Sequence, residues 1–292
     1  MRERIPTANE MYFGSTPADR RYLEAREKSF FRSVGLPNGT WKTTSYRRLD
    51  DLNALVARYL PPHRPLDVMD VAVSSAVSTV EWLESLERAG IQCRLTAGDA
   101  AVNAFLLSMF GGWLRALVDS RGHVLQYEIG GRGFEVPLRR RYIPQYFLPV
   151  LLMKTMGRAL APTLRASTAT GSRWGVTWRP LQLVSPSVRG RIEVVEDDIL
   201  VNRSYQRCFH VVRAANILNR GYFDDATLTA MVTNLRERLR AGGLLVVCRT
   251  TDEGVNHGTV FALAANGRLQ VLARLNDGSE IEQLALGLPT RA

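Results

Sequence analysis

Pro65-Leu66-Asp67-Val68-Met69-Asp70-Val71-Ala72-Val73-Ser74-Ser75-Ala76-Val77-Ser78 is the stretch on which the fold turns. Leu66 to Val73 is mostly apolar, interrupted by Asp67 and Asp70, and reads as a buried strand. Ser74 to Ser78 is a run of small residues that predicts a tight turn. Ser78 with Glu81 three residues on has the spacing of a capping box. A helix is therefore expected through Trp82, Leu83 and Leu86, ending at Gly90. In such a strand-turn-helix unit, small side chains let the backbone approach a ligand and the helix N-terminus presents oriented amides.

Working outward, the same alternation continues. Ile91 to Ala97 predicts a second strand that ends in Gly98-Asp99, with a helix expected over Ala100 to Met109. It resumes with a strand at Arg191 to Val195, the acidic run Glu196-Asp197-Asp198, and a strand at Phe209 to Ala214. A helix follows at Asp225 to Leu239, then a turn at Arg240 to Gly243 and a strand at Leu244 to Arg249. Val260 to Ala264 and Leu269 to Leu275 predict a closing hairpin around Asn266-Gly267, a strong hairpin signal. Upstream, Pro17 to Val34 and Leu49 to Leu60 have helical spacing. Strand-helix alternation predicts an α/β fold: a mostly parallel, Rossmann-like sheet with an antiparallel C-terminal hairpin. Ligands in such sheets bind at the carboxyl ends of the strands, near the point where strand order reverses.

The middle of the chain breaks this pattern. A hairpin is expected over 113–118 and 123–129, turned at Asp119 to Gly122. Residues 137–162 are basic, aromatic and apolar in turn, and 163–185 are rich in Ser, Thr, Arg and Pro. A structureless loop of that length is improbable in a compact domain. Three regions are therefore expected: an N-terminal helical segment (1–64), a Rossmann-like domain (65–109 with 186–292), and an inserted lid or substrate subdomain (110–185). The run Tyr146 to Leu160, with Lys154 and Arg158, reads as an amphipathic helix packed on the main domain or touching a membrane surface.

At 292 residues with 46% hydrophobic and 23% charged residues, the chain has the composition of a globular protein rather than a disordered one. Cys93, Cys208 and Cys248 form no Cys-x-x-Cys pair, and the four histidines have no metal-ligand spacing, so no metal site is expected. Buried free thiols suit a reducing, cytoplasmic location. No apolar leader and no transmembrane segment is predicted. The formal net charge is +10. That charge leaves nucleic acid open as a partner, although no motif supports it, and Arg139, Arg140 and Arg141 form the one tight basic run.

The ordered set of acidic and small residues resembles the class I S-adenosylmethionine (SAM)-dependent methyltransferases. The first motif of that family is an acidic residue followed by alternating glycines. Here it reads Asp70-Val-Ala72-Val-Ser74-Ser75-Ala76, with alanine and serine at all three glycine positions. The resemblance implies that Asp70, Ala72, Ser74, Ser75 and Ala76 face the cofactor, and that the Ser74 and Ser75 hydroxyls can meet its methionine carboxylate. It implies that Asp99 accepts from the ribose hydroxyls and that Asp198, or in reserve Asp197, accepts from the adenine amino group. Phe209-His-Val-Val-Arg-Ala-Ala-Asn216-Ile-Leu is similar to the corresponding strand of the chemotaxis receptor-glutamate methyltransferases. This places Asn216 at the cofactor or substrate. Thr44-Ser-Tyr-Arg-Arg-Leu and Leu239-Arg-Ala-Gly-Gly-Leu-Leu-Val-Val extend the likeness.

The function so implied is a SAM-dependent methyltransferase acting on a small molecule or a carboxylate. Two alternatives stand beside it. One is a SAM-consuming enzyme that displaces or eliminates within the methionine moiety, releasing methylthioadenosine. The other is a non-catalytic binding module on the same fold. Methyl transfer depends mainly on alignment of the nucleophile. As a base for a poorly acidic acceptor, Tyr127, Tyr142, Glu128 and His210 are candidates, with His210 also readable as a core residue. Homodimer formation is left open.

Overall fold

The computed structural model describes residues 4–15, 20–36, 41–42, 45–62, 64–137 and 142–290. Three features of the sequence reading lie outside these: the helix start at Pro17 to Asp19, Thr44, and the run Arg139 to Arg141. The elements, in chain order, are α1 (Ala8–Phe13), α2 (Arg20–Ser33), α3 (Asp50–Ala57), β1 (Leu66–Val71), α4 (Val77–Arg88), β2 (Cys93–Asp99) and β3 (Asn103–Met109). Then come β4 (Leu114–Asp119), β5 (Val124–Ile129), β6 (Arg132–Phe134), α5 (Ile143–Arg165), β7 (Gly171–Arg173), β8 (Val176–Gln182) and β9 (Glu193–Glu196). The chain closes with β10 (Phe209–Ala215), α6 (Asp225–Arg238), β11 (Leu239–Thr250), β12 (Asn256–Leu263), β13 (Leu269–Leu275) and α7 (Glu282–Leu286).

These elements form two compact units, one of Met1–Thr44 with Ala101–Ser187 and the other of Ser45–Ala100 with Val188–Ala292. The first 44 residues thus group with the middle segment, and residues 45–64 with the later strands, whereas the sequence reading placed 1–64 together and began the insertion at 110.

In the second unit seven strands run in the order β13-β12-β11-β10-β1-β2-β9. β9, β2, β1, β10 and β11 are parallel; β12 and β13 are antiparallel to their neighbours. This is the mostly parallel sheet with a C-terminal hairpin that the alternation implies. On one face α3 and α4 bury Leu52, Val56, Trp82 and Leu86 against Val68, Val211 and Val246. On the other, α6 and α7 bury Leu228, Met231, Leu235 and Ile281 against Met69, Val212 and Leu245. Covering both faces removes solvent from the central strands, which is why β1, β10 and β11 are rich in apolar residues.

In the first unit six antiparallel strands run in the order β6-β5-β4-β3-β8-β7. α1 and α2 cover one face through Met11, Phe30 and Phe31. α5 covers the other through Met153, Leu160 and Leu164. Gln126 ties the first layer together. Its Oε1 accepts the Ala8 N–H at 3.0 Å, and its Nε2 donates to the Pro6 carbonyl and to Ser33 Oγ. Gly157 lets α5 approach the β4–β5 turn, since a Cβ there would lie 2.6 Å from the Gly122 carbonyl oxygen.

Three local expectations need correction. Residues 103–109 form β3, not a helix. Phe105 and Leu107 face one helical layer while Ala104 and Leu106 face the other, so this central strand is apolar on both sides, and periodicity cannot distinguish it from a buried helix. Helix α4 begins at Val77 with Ala76, in the left-handed region, as N-cap; the Val77 N–H donates to Ser75 Oγ at 3.5 Å, and Ser78 is not the cap. Glu81 instead accepts the Arg47 N–H at 2.8 Å. Arg240 to Gly243 does not separate helix from strand. β11 runs from Leu239, and the register jumps from Phe209↔Leu239 to Val211↔Leu244, so the extra residues are absorbed as a bulge.

The C-terminal edge is clamped by Glu282. Its carboxylate accepts from Arg274 Nε and Nη2 at 2.8 Å each and from Thr259 Oγ1 at 2.9 Å. The paired hydrogen bond from Arg274 holds the Glu282 carboxyl below its ordinary 4.5, against the opposing effect of burial, with Thr259 adding to the depression. A depressed carboxyl contributes stability that is fully present above its unfolded value and is lost as pH falls through the folded one. Glu282→Gln should therefore be less stable than the parent at neutral pH. The gap between their urea midpoints should narrow as pH falls below 4.5. A gap independent of pH would show that the clamp is not ionic.

Candidate functional site

The order of strands reverses between β1 and β10: the chain runs outward from β1 through β2 to β9, then returns to β10 on the opposite side. In open α/β sheets this switch point is where a crevice opens beyond the carboxyl ends of the strands. The segments leaving those ends are Ala72 to Ala76 after β1, Ala100 after β2, and Asn216 to Leu218 after β10.

The first of these has an unusual backbone. Ala72, Ser74 and Ala76 all have positive φ, at 56°, 55° and 62°. For residues with a Cβ the left-handed region costs about 1–2 kcal/mol each. Conformations of this kind persist where the surroundings over-determine them, and they cluster at ligand sites. The surroundings here are specific. Val73 N–H donates to the Gly98 carbonyl at 3.2 Å, Ser74 N–H to Asp99 Oδ2 at 2.7 Å, and Ala76 N–H to the Val73 carbonyl at 2.8 Å. The loop thus follows an alternating left-handed path that glycines would follow freely, and delivers the chain to the N-terminus of the twelve-residue helix α4.

Asp70 lies directly beneath. Its two oxygens accept from Arg213 Nε at 2.9 Å and Nη2 at 2.6 Å, and Oδ2 also accepts from Thr79 Oγ1 at 2.7 Å. Arg213 donates further to Asn53 Oδ1 at 2.7 Å and to the Ser78 carbonyl at 3.1 Å, and its guanidinium stacks 4.2 Å from the Trp82 ring. Both charged residues are buried. Asp70 is therefore engaged in holding the loop and α4 to the sheet.

Asp99, the last residue of β2, is buried and anchors the loop through Ser74. Asp197 and Asp198 follow β9. Asp197 is buried in a second two-pronged pair, with Arg238 Nη1 at 2.5 Å and Nη2 at 3.1 Å, and accepts from Asn202 Nδ2. Asp198 is half-buried on a turn, where Oδ1 accepts the Leu200 N–H at 3.0 Å. Asn216 has φ of 61°. Its Oδ1 accepts the Thr250 N–H at 2.7 Å and its Nδ2 donates to Thr250 Oγ1, joining the ends of β10 and β11. Thr250 Oγ1 donates to Asn256 Oδ1, and Asn256 Nδ2 to the Arg48 carbonyl and to Asp51.

That chain leads to a residue the sequence reading passed over. Arg48 is largely buried, and burial, followed by the neighbouring Arg213 cation, pushes its guanidinium below its ordinary value; Asp70, Cys248 and Glu81 act in the opposite sense. Its buried Nε has no hydrogen-bond partner among the described residues. Leaving a buried donor unmatched is costly, so Arg48 is suited to an anion. Arg213 and Arg238 also went unremarked. A buried arginine within or beside an apolar strand run requires a carboxylate, and the folded sheet supplies Asp70 and Asp197.

The candidate bases fall elsewhere. Tyr127, Tyr142 and Glu128 belong to the unit built on the antiparallel sheet. Tyr127 is core, with its hydroxyl pushed up by burial. Tyr142 makes ring contacts with Phe134 and Tyr146. Glu128 pairs with Arg115. His210 is second in β10, six residues and about 20 Å along the strand from Asn216. There its Nδ1 accepts the Asp67 N–H, and burial and Arg240 push its ring below the usual imidazole value.

No family model and no curated protein matches this sequence. Among solved structures, the chain is similar to the N-methyltransferase NodS from Bradyrhizobium japonicum WM9, solved with S-adenosyl-L-homocysteine. The identity is 14%, covering 80% of this chain and 74% of that one, with a TM-score of 0.33. It is similar to the CMeT domain of the citrinin polyketide synthase, at 16% identity over 69% of this chain and a TM-score of 0.30. An O-methyltransferase family protein from Burkholderia thailandensis shows 14% identity over 71% of this chain, 40% of that one, and a TM-score of 0.33. The chain spans about a third of the length of the polyketide synthase structure it matches. These three structures are methyltransferases.

Two expectations follow from the geometry. Arg213→Met should cost about 3–5 kcal/mol, because it leaves Asp70 charged and buried; urea denaturation of Asp70→Leu with Arg213→Met should recover much of that loss. Equal loss in single and double variants would contradict the pairing. Ala72→Gly should raise stability by about 0.5–1 kcal/mol, the relieved strain less the added chain entropy of glycine. A thermal melt that moves down would show that Ala72 is unstrained.

Proposed function

We propose that this chain is a SAM-dependent methyltransferase acting on a small-molecule or carboxylate acceptor. The observation that carries the reading is the left-handed path at Ala72, Ser74 and Ala76, placed at the switch point of the sheet. The three positions that the resemblance sets against the family's glycines all have positive φ, the conformation that glycine adopts most freely. The residues fit the cofactor in a modified way. Asp99 is an acceptor-only carboxylate suited to ribose hydroxyls. Asp198, half-buried on its turn, is the adenine-side acceptor, while Asp197 supports the turn through Arg238. Arg48 supplies a cation for the methionine carboxylate, in addition to the Ser74 and Ser75 positions. Asp70 and Asn216 hold the two sides of the crevice in place. Bound SAM supplies an activated methyl group on a sulfonium that leaves as a thioether. The chain's own part is to bind, orient and exclude water, so no base needs to be assigned.

A specific observation also favours the reading of a binding module. Asp70 and Asp197 are consumed by arginines, and Cβ atoms stand at the three glycine positions. Titration calorimetry with SAM and with S-adenosyl-L-homocysteine separates the cases. Binding of both is expected, with Asp99→Asn weakening it about tenfold, as loss of a charge-assisted hydrogen bond would. No heat with either ligand would sink the cofactor reading. Mass spectrometry then reports the reaction. A methylated acceptor supports transfer, methylthioadenosine formed without acceptor supports intramolecular chemistry, and binding without turnover supports the module.

A further inference from the structure

The positive charge of this protein is unevenly distributed. From Val136 to Ile192 there are ten Lys and Arg residues and no Asp or Glu. The unit of Met1–Thr44 and Ala101–Ser187 holds 19 basic and 8 acidic residues, and the sheet unit that carries the candidate site holds 19 and 20. The whole net charge therefore belongs to the first unit, which has no part in the cofactor loop.

The same unit exposes a dense apolar patch. The turn between β3 and β4 holds Phe110 at 64% exposure and Trp113 at 51%, and Phe110 sits there at φ 51°, a costly conformation for an aromatic residue. On α5, Phe147, Leu148 and Leu151 are exposed, with Leu148 at 73%. Turn and helix together line a cleft of about 540 Å³. Thr155 on its wall spends its hydroxyl on the Leu151 and Leu152 carbonyls. Apart from the Trp113 indole N–H, the wall is apolar side chain. A contiguous apolar surface of this kind marks an interaction site.

Helix α5 orders these features along its length. Its inner face packs Met153, Leu160 and Leu164 into the core. Its outer face begins with Phe147, Leu148 and Leu151 and continues with exposed Lys154, Arg158 and Arg165. No helix among the described residues is long and apolar enough to cross a membrane. An interfacial helix has this pattern instead: apolar and aromatic residues that enter the acyl boundary beside cations that meet headgroups.

We propose that this unit docks on an anionic lipid bilayer, with Phe110, Trp113, Leu148 and Leu151 entering the interface and Lys154 and Arg158 meeting acidic headgroups. A second copy of this unit is disfavoured by its own charge. Nucleic acid could stack on Phe110 and Trp113 but would leave Leu148 and Leu151 in water, whereas a bilayer buries all four side chains.

The test uses the purified full chain in flotation with vesicles of equimolar phosphatidylglycerol and phosphatidylcholine, and with phosphatidylcholine alone. Flotation with the anionic vesicles at low salt is expected, together with a blue shift in tryptophan emission that Trp113→Phe reduces. Replacing Lys154 and Arg158 together by Gln should weaken partitioning about 30-fold, at roughly fivefold per cation near the surface. Leu148→Asp with Leu151→Asp should weaken it more than tenfold, with an unchanged thermal melt because both side chains are exposed. Failure to float with anionic vesicles at low salt overturns the proposal. So does equal flotation of the Leu148→Asp, Leu151→Asp variant, or a dimer that the same variant converts to monomer. SAM binding by calorimetry is a separate readout, so the two proposals fail independently.

Discussion

A guanidinium in the middle of a parallel sheet has to be neutralised where it stands, and the pair of Arg213 with Asp70 does this on adjacent strands in register. Its consequences extend beyond the two residues. Arg213 reaches Asn53 on α3 and the Ser78 carbonyl in the first turn of α4, and lies on the face of Trp82. One buried cation therefore ties the two central strands to the two helices that cover them. The desolvation of such a pair is expensive, and its worth lies as much in fixing geometry as in net stability. At this point in the fold, what it fixes is the exit of β1 and the start of α4.

The loop between them inherits that constraint. With Asp70 held below and Asp99 accepting the Ser74 N–H from the side, Ala72, Ser74 and Ala76 are kept in the left-handed region without the freedom of glycine. A second pair, Arg238 with Asp197, does for the end of β9 what the first does for β1. Asn216 and Thr250 join β10 to β11. All five parallel strands thus leave the sheet under polar restraints, and the segments that follow them are held in place. This is the preorganisation that a ligand site built on a rigid scaffold needs.

The other unit solves a different problem. Its antiparallel sheet is covered by helices on both faces, so its central strands lose the alternation that normally betrays them. Gly157 and Gly122 bring α5 against the sheet, leaving the opposite side of that helix to carry apolar residues and cations into solvent. The net positive charge is collected here, and the unit of the parallel strands remains near neutrality.

Much of the fold was legible in the residues. The strand-turn-helix at Leu66 to Arg88, the later alternation and the Asn266-Gly267 hairpin rest on periodicity and turn chemistry, which are local properties. The helix expected at Ala100 to Met109 failed because a strand buried on both faces and a buried helix share one apolar pattern, and only the neighbouring strands decide between them. At the candidate site, the order of Asp70, Asp99, Asp198 and Asn216 was readable, as were the small residues of the loop. What each carboxylate does was not. Asp70 and Asp197 are spoken for by arginines 143 and 41 residues away in sequence, and Arg48 comes to matter through Arg213 and Asp70, which only the folded sheet brings near it. Sequence by itself determined the strand-turn-helix at Leu66 to Arg88 and the Asn266-Gly267 hairpin, because those choices are made within a few residues. Tertiary structure alone decided which charges are consumed and which stay available, because an ion pair between distant residues forms only when the sheet sets its strands side by side.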